Sequence, residues 1–169
     1  TVRFAPLGYA EVACAVTSWI EHVISQGAGP GRIASVASFR VSRIDVAVYG
    51  LIAERRQQTK NSEQRDSLSG LRGKIAIANA KLAYERYETT FSGPRWDALK
   101  GRGAQTQRVL WASTSTKNPK LRDVLSIAEL IGPDTVNTIP PPTYDAFRVH
   151  AVPRASFPSG GVEARQDQS

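Results

Sequence analysis

Residues 110–119 read Leu-Trp-Ala-Ser-Thr-Ser-Thr-Lys-Asn-Pro, and residues 131–140 read Ile-Gly-Pro-Asp-Thr-Val-Asn-Thr-Ile-Pro. In the first stretch, a short apolar run ends in hydroxyl and amide side chains around a lone lysine, Lys117. In the second stretch, hydroxyls and an amide are interleaved with apolar residues. Because a buried strand fixes the side chains at its end, an α/β enzyme commonly builds a polar ligand site there. The pair of stretches favours such a site over two ordinary strands with Ser/Thr-rich turns.

Strand and helix patterns alternate along the rest of the chain. Apolar spacing and breakers predict strands at residues 2–5, 33–39, 108–112 and 135–139. They predict helices at residues 9–26, 44–57, 73–91, 121–131 and 143–150, a helical turn at 95–100, a loop at 58–69, and Thr143 as an N-cap. This order indicates parallel strands joined by crossover helices, in a doubly wound sheet or a (β/α) barrel. Four such units are too few to close an eight-stranded barrel.

Composition indicates one globular domain of a soluble protein. The chain has 169 residues, 41% of them hydrophobic and 22% charged, and we place the domain at residues 1–152 with a disordered tail at 153–169. It shows neither a signal-peptide pattern nor a membrane-length apolar run, so we expect a cytoplasmic protein that does not bind membranes. The single cysteine, Cys14, is interpreted as core filler. The chain begins at Thr1 and lacks methionine, which indicates processing, trimming or a partial reading frame.

The positive charge of the chain raises the question of nucleic-acid binding. There are 22 Lys and Arg residues against 15 Asp and Glu, giving a net charge of +7. The cations are spread out, acidic residues lie among them, and no aromatic residues alternate with them as a stacking platform. We therefore expect no nucleic-acid partner, and favour an anionic small molecule or no charged partner. Residues 27–31 are glycine-rich but follow a helix, which is the wrong context for a nucleotide-binding loop.

Five ordered motifs at compatible spacing carry a resemblance to a known family. They are ASVASFRVSRID (34–45), GKIAIANAKLAY (73–84), FSGPRW (91–96), LWASTSTKNP (110–119) and ELIGPDTVNTIP (129–140). Together they resemble the long bacterial form of transaldolase, which also occurs fused to glucose-6-phosphate isomerase. The resemblance extends from Thr1 to about His150.

The resemblance implies a (β/α)8 TIM barrel of the class I aldolase type, acting in the pentose phosphate pathway. In that family a lysine forms a Schiff base with a ketose phosphate, of the fructose 6-phosphate or sedoheptulose 7-phosphate class, and a dihydroxyacetone unit passes to an aldose phosphate. No metal or organic cofactor is used. The resemblance implies that this chain covers roughly strands five to eight. The family's Schiff-base lysine and its acid/base carboxylates would then precede Thr1, and we expect the chain alone to be inactive.

The resemblance also assigns a phosphate-binding role to several residues. Arg43 resembles the family's phosphate-binding arginine just past a barrel strand, and Lys117 stands where related transaldolases have a second cation. Ser115 and Asn118 lie beside that lysine in the sequence. The chemistry agrees, since a guanidinium offers two parallel hydrogen bonds to phosphate and an ammonium adds a point charge. We expect Arg43 and Lys117 to converge on one phosphate.

Further residues are assigned to the pocket or to structure. Ser38 resembles a pocket-lining serine, and Arg40 lines the pocket where the family usually has a second phenylalanine. Thr1 matches the threonine that helps to hold the catalytic water. Asp45 is interpreted as a helix N-terminal charge, and Trp111 as packing.

Two alternatives to a transaldolase fragment remain open. The chain could be a non-catalytic phosphosugar-binding or regulatory remnant. It could also be a half-barrel subunit that pairs with a separate N-terminal half or with itself, because half a barrel exposes strand edges and an apolar face.

Overall fold

A computed structural model describes residues 6–115 and 122–157 of the chain. In these ranges the elements follow one another as α1 (Pro6–Ser25), a 3₁₀ turn (Pro30–Arg32), β1 (Ser35–Arg40), α2 (Val41–Gln58), α3 (Ser62–Gly70), α4 (Ile75–Thr90), α5 (Gly93–Gly101), β2 (Gln107–Ala112), α6 (Leu125–Ala128), β3 (Thr135–Asn137) and α7 (Pro141–His150). The predicted strand at residues 2–5 lies outside the described residues. Across both described ranges, no helix is long and apolar enough to cross a membrane.

The three strands form one parallel sheet in the order β1-β2-β3. Ser35 pairs with Gln107 at the start of β1, and Val109 pairs with Thr135 at the start of β3. Each strand therefore lies beside the next one in the chain, as in a (β/α) barrel, and the parallel pairing confirms the predicted α/β class. The structure is consistent with part of a TIM-barrel-like domain. The assignment to barrel strands five to eight stays a prediction.

Helices cover one face of this sheet. Alternate residues of β1 and β2 are buried on that face, with Ala37 and Phe39 on β1 and Val109 and Trp111 on β2. The Phe39 ring lies 5.5 Å from that of Tyr9 on α1 and 5.4 Å from that of Trp111, measured between centroids. Trp111 is completely buried, so its predicted packing role is confirmed.

The opposite face of the sheet, which we call the open face, carries the intervening residues. Val36 is 46% exposed, and Ser38, Leu110, Ala112 and Val136 are half-buried. Because strand side chains alternate between the two faces, these residues share one side of the sheet. Among the described residues they belong to no part of the buried core. In a closed barrel this face would be the interior.

The structure confirms the helix predicted at residues 9–26, which is α1, but not the predicted role of Cys14. The buried residues Tyr9, Ala13, Ile20 and Ile24 recur at helical spacing and face the core. Cys14 falls on the other side of the helix and is exposed. Its interpretation as core filler is therefore wrong, since the register of the helix is set by its larger apolar residues.

The segment predicted as a loop at residues 58–69 is mostly helical, as α3. Asn61 caps this helix, because its Oδ1 accepts a hydrogen bond of 3.2 Å from the backbone N–H of Gln64. The helix buries none of its residues. Apolar periodicity therefore could not reveal this helix. Its sequence signal is the capping residue Asn61 at its start.

Two other helix predictions were wrong, one in the length of the helix and one in its N-cap residue. The helix predicted at 121–131 is reduced in the described residues to the single turn α6, with turns on either side. Thr143 was predicted to cap the last helix, but α7 begins at Pro141 and Pro140 occupies the N-cap position. Thr143 is instead buried within the first turn. A proline in the first turn of a helix loses no hydrogen bond there, so the chain starts the helix earlier.

The start of the predicted disordered tail belongs to the folded body. The Phe157 side chain is 6% exposed, and its ring stacks on that of Tyr84 with centroids 4.0 Å apart. The backbone N–H of Ser156 donates to the carbonyl of Ile131 at 2.8 Å, and its hydroxyl donates to the carbonyl of Ala128. The boundary predicted at residue 152 is therefore too early. Residues 158–169 lie outside the described part of the chain.

Candidate functional site

The carboxyl ends of the three strands meet at one edge of the sheet, as parallel pairing requires. At this carboxyl edge, β1 passes directly into α2 at Val41, and β2 passes into a loop at Ser113. The backbone N–H of Ser42 donates a hydrogen bond of 3.1 Å to the carbonyl of Ser113. This bond joins the first turn of α2 to the loop after β2, and so fixes the two segments against each other.

Hydroxyl groups also connect the ends of β2 and β3. The Thr114 hydroxyl is completely buried and donates to Oδ1 of Asn137 at 2.9 Å. The backbone N–H of Thr138 donates to the carbonyl of Trp111 at 3.0 Å. Ser113 adopts a left-handed conformation, with φ of 56°, which turns the chain sharply out of the strand. The two polar stretches predicted to form a site thus meet at the carboxyl edge.

The described site candidates lie at the ends of β1 and β2. Ser38 is half-buried on the open face, opposite Leu110 in the register. Arg40 is the exposed last residue of β1, and Arg43 is exposed in the first turn of α2. Ser115 is half-buried in the loop that follows β2.

Three predicted site residues cannot be placed. Lys117, Asn118 and Thr1 lie outside the described residues. The convergence of Lys117 with Arg43 on one phosphate therefore stays a prediction. The roles assigned to the other candidates stay predictions as well.

The structure adds a carboxylate that was interpreted only as a helix-end charge. Asp45 is half-buried on α2, and its Oδ1 is buried without a hydrogen-bond partner among the described residues. Burial raises the pKa of this carboxyl above its usual value. The buried hydroxyl of Thr114 was not predicted as part of the site. A hydroxyl in a run of four gives no sequence signal of which one is buried.

The chemistry of the carboxyl edge suits an anion. Arg40 and Arg43 contribute two guanidinium groups next to the N-terminus of α2, where backbone N–H groups and the helix dipole favour negative charge. Neither guanidinium forms an ion pair with any described residue. Hydroxyl groups from the loop after β2 can add further hydrogen bonds.

Comparison with known proteins identifies relatives of most of the chain. Residues 1–168 match the family model described as transaldolase/fructose-6-phosphate aldolase. The chain is 47% identical over 150 residues to a transaldolase of Trichodesmium erythraeum, covering 89% of this chain and 40% of that protein. It is 41% identical over 167 residues to transaldolase 2 of a Nostoc species, covering 98% and 44%. A Parafrankia transaldolase is 48% identical over 152 residues, covering 90% and 39%.

The extent of these matches shows both what is shared and what is not. The chain spans about two fifths of the length of these relatives. The relatives therefore contain polypeptide without a counterpart here. Nearly the whole of this chain, including both polar stretches of the carboxyl edge, falls within the match. The chain belongs to the transaldolase/fructose-6-phosphate aldolase family.

Proposed function

We propose that this chain supplies the phosphate-binding part of a transaldolase. The intact enzyme transfers a dihydroxyacetone unit from a ketose phosphate to an aldose phosphate through a lysine Schiff base. The lysine belongs to polypeptide outside this chain. In this proposal Arg43 and Lys117 bind the phosphate with Ser115, while Ser38, Arg40 and Asn118 line the pocket and Thr1 helps to hold the catalytic water.

One observation carries the proposal: the start of α2 and the loop after β2 are joined at the carboxyl edge. The bond from Ser42 to Ser113 holds the first turn that carries Arg43 against the loop that contains Ser115. In barrel enzymes the active site lies at the carboxyl ends of the strands. A phosphate anchored there is remote from the reacting carbonyl, and its binding energy can orient that carbonyl toward the lysine.

The reaction defines what this part must do. The lysine amine adds to the ketose carbonyl and water leaves, giving an imine. The C4 hydroxyl then loses its proton and the C3–C4 bond breaks, which releases an aldose phosphate and leaves the three-carbon unit on the lysine as an enamine. The enamine adds to a second aldose phosphate, and water then releases the new ketose phosphate and the free amine. No bond to the phosphate group is formed or broken in these steps. Arg43 therefore serves only to bind and orient the substrate.

The phosphate-binding role is tested with Arg43→Gln. We expect the variant to bind fructose 6-phosphate at least about tenfold more weakly than the parent chain, because a charge-assisted hydrogen bond contributes about 1.5–3 kcal/mol. Arg86→Gln is the matched control, since Arg86 is exposed on α4. Isothermal titration measures both. Equal affinities for the parent and Arg43→Gln would refute the role.

The location of the Schiff-base lysine has a separate test. Borohydride with fructose 6-phosphate reduces an imine to a stable adduct, which intact mass spectrometry detects. We expect the adduct on the full-length Trichodesmium relative and none on this chain. An adduct on the 169-residue chain would contradict the proposal and would identify one of its own lysines as the nucleophile.

We propose further that the open face is closed by strands from the polypeptide that this chain lacks relative to its family. The supporting observation is that, within residues 6–115 and 122–157, no helix covers the face that carries Val36 and Leu110, and β1 and β3 each pair on one side only. Such edges and faces are normally covered.

Complementation tests this second proposal. The chain is co-expressed with the portion of the Trichodesmium transaldolase that it does not match. We expect a one-to-one complex with transaldolase turnover, because the two pieces together supply the lysine and the phosphate site. Val36→Lys should weaken the complex, because it places a charge on the closing face. Independent monomers of both pieces would contradict the proposal.

A further inference from the structure

A polar cleft lies at the amino ends of β2 and β3, at the opposite edge of the sheet from the carboxyl edge. Its volume is about 590 Å³. The C-terminal half of α4 and helix α5 form its aromatic wall, with Tyr87, Phe91 and Trp96. The start of β2 and the turn before β3 form the polar side, with Thr106, Arg108 and Asp134 among the lining residues.

Two exposed cations line this cleft. Lys100 lies in the last turn of α5, and Arg108 is the second residue of β2. Neither forms an ion pair with any described residue. A cation at the end of a helix is favoured by the helix dipole, which accounts for Lys100 without a ligand. No such preference applies to Arg108, which strand alternation places on the same side of β2 as Leu110 and which, as the second residue of the strand, borders the cleft at the amino edge.

The remaining polar groups of the cleft are held in place by hydrogen bonds. The Tyr87 hydroxyl lies 3.1 Å from Oδ2 of Asp134 and 3.4 Å from the hydroxyl oxygen of Thr106. Burial raises the pKa of Tyr87 to about 12, so it stays a neutral donor. Asp134, in the turn before β3, has a left-handed backbone, with φ of 53°. Gln105 fixes the rim by donating to the carbonyl of Gly31 at 2.7 Å.

We infer that this cleft binds a small phosphate ester that carries hydroxyl groups. Arg108 and Lys100 bind the phosphate, because a guanidinium and an ammonium on one cleft suit a dianion. The carboxylate of Asp134 accepts hydrogen bonds from the hydroxyls of the ligand, since only one of its oxygens is used by Tyr87. Asp134 repels the phosphate group of either ligand, but an ester can place its phosphate on the cations and its separate hydroxyls on the carboxylate, which a single phosphate ion cannot do. The hydroxyls therefore distinguish this ligand from inorganic phosphate.

The position of the cleft makes it independent of the proposed transaldolase site. The two sites lie at opposite ends of the same strands, with Arg43 at the carboxyl edge and Arg108 at the amino edge. Six residues of β2 separate the amino edge from Ser113, about 20 Å at the rise of an extended strand. A ligand in the cleft cannot contact the carboxyl edge directly.

The test uses glycerol 3-phosphate and inorganic phosphate as probes, with the full chain as the parent. We expect the double variant K100Q/R108Q to bind glycerol 3-phosphate at least about tenfold more weakly in isothermal titration, because two charge-assisted contacts are lost. The matched control is R55Q/K60Q, which removes the same charge from two exposed positions, one in the last turn of α2 and one two residues beyond it. The parent should prefer glycerol 3-phosphate to inorganic phosphate. All titrations are made in the Arg43→Gln background, which removes the proposed substrate site.

Several results would overturn the inference. The first is the absence of glycerol 3-phosphate binding in the Arg43→Gln background. The second is an equal loss in K100Q/R108Q and R55Q/K60Q, which would indicate general electrostatic attraction. The third is a preference for inorganic phosphate, which would remove the role of Asp134. Because both cations are exposed, unchanged circular dichroism of the double variant provides the check on folding. None of these results bears on the proposed function, which depends on Arg43.

Discussion

The two faces of the sheet are built from the same strands but differ in burial. On the covered face, Phe39, Val109 and Trp111 are almost fully buried against helices. On the open face, Val36 and Arg40 are exposed and Leu110 is half-buried. Successive residues of one strand thus differ in burial as much as core and surface do.

This difference indicates where the stability of the chain comes from. Burial of apolar area is the main favourable contribution to folding, so the covered face must supply most of it. The open face carries Ser38 and Arg40, which the proposed function places in a pocket. Substitutions on the two faces should therefore affect different measurements: free energy of unfolding on the covered face, and association or ligand binding on the open face.

The largest effect is expected from Trp111→Ala on the covered face. The side chain is completely buried and packs against Phe39 and Phe157. Its removal should lower the free energy of unfolding by about 3–5 kcal/mol. Chemical denaturation measures the loss, and Leu110→Ala on the open face is the neighbouring control. A greater loss from Leu110→Ala would reverse the ranking of the two faces.

A smaller effect is expected from Gly132→Ala. A Cβ at this position would lie 2.3 Å from Cδ2 of Phe157, so the ring or the backbone must shift. Overpacking of this kind costs about 1–3 kcal/mol. In a Phe157→Ala background the clash is absent, and the cost of Gly132→Ala should nearly vanish. Additive costs in the double variant would show that Phe157 does not occupy this position in solution.

A weaker contribution is expected from Glu129, which links α4 to the C-terminal segment. Its carboxylate accepts from Lys81 at 3.1 Å, and Arg154 lies 3.4 Å away. These partners lower the pKa of Glu129, the hydrogen bond from Lys81 most of all. A lowered pKa stabilises the fold above the unfolded pKa, and that stability is lost as the pH falls through the folded pKa.

Glu129→Gln should therefore lower the free energy of unfolding at neutral pH by no more than about 1 kcal/mol. The difference from the parent should begin to shrink as the pH falls below the unfolded pKa of about 4.3, and it should vanish only below the lowered pKa of the folded chain. Denaturation at a series of pH values measures this. Glu54→Gln, at an exposed position on α2, provides the control. A difference that persists at low pH would exclude the ion pair as its cause.

The smallest change in stability is expected from Val36→Thr on the open face. Val36 is 46% exposed, so the free energy of unfolding should change by less than about 0.5 kcal/mol. Sedimentation should nevertheless show less self-association, because the substitution makes an uncovered face more polar. Val109→Thr is the matched change on the covered face and should cost more than 1 kcal/mol, roughly the penalty for burying a hydroxyl. A parent chain that sediments as a well-behaved monomer would count against the open face as an interface.

The strands and long helices were predictable from the sequence because burial imposes periodicity on them. β1 and β2 alternate, and α1 repeats at helical spacing. Helix α3 was missed because it buries no residue, although Asn61 followed by Gln64 is a recognisable capping pattern. Phe157 was missed for another reason. A single aromatic among proline and serine gives no local signal, and only the cavity formed by Tyr84, Trp111 and Gly132 makes it part of the core.

The candidate site was predictable as a place but only partly as a set of contacts. Polar runs at strand ends indicated the carboxyl edge, because parallel strands bring their ends together. The bonds from Ser42 to Ser113 and from Thr114 to Asn137 depend on loop geometry that the sequence does not encode locally. The same holds for the amino-edge cleft. Its residues come from four elements and share no motif.

The packing of Phe157 has a practical consequence for protein engineering. A stop codon or a fusion joint placed directly after α7, the last helix, would remove a ring that stacks on Tyr84 and sits against Gly132. Such a product would carry a hole in its interior and should express poorly, whereas one cut after residue 157 keeps the ring. The usable limit of this domain is therefore set by one side chain seven residues beyond the end of its last helix.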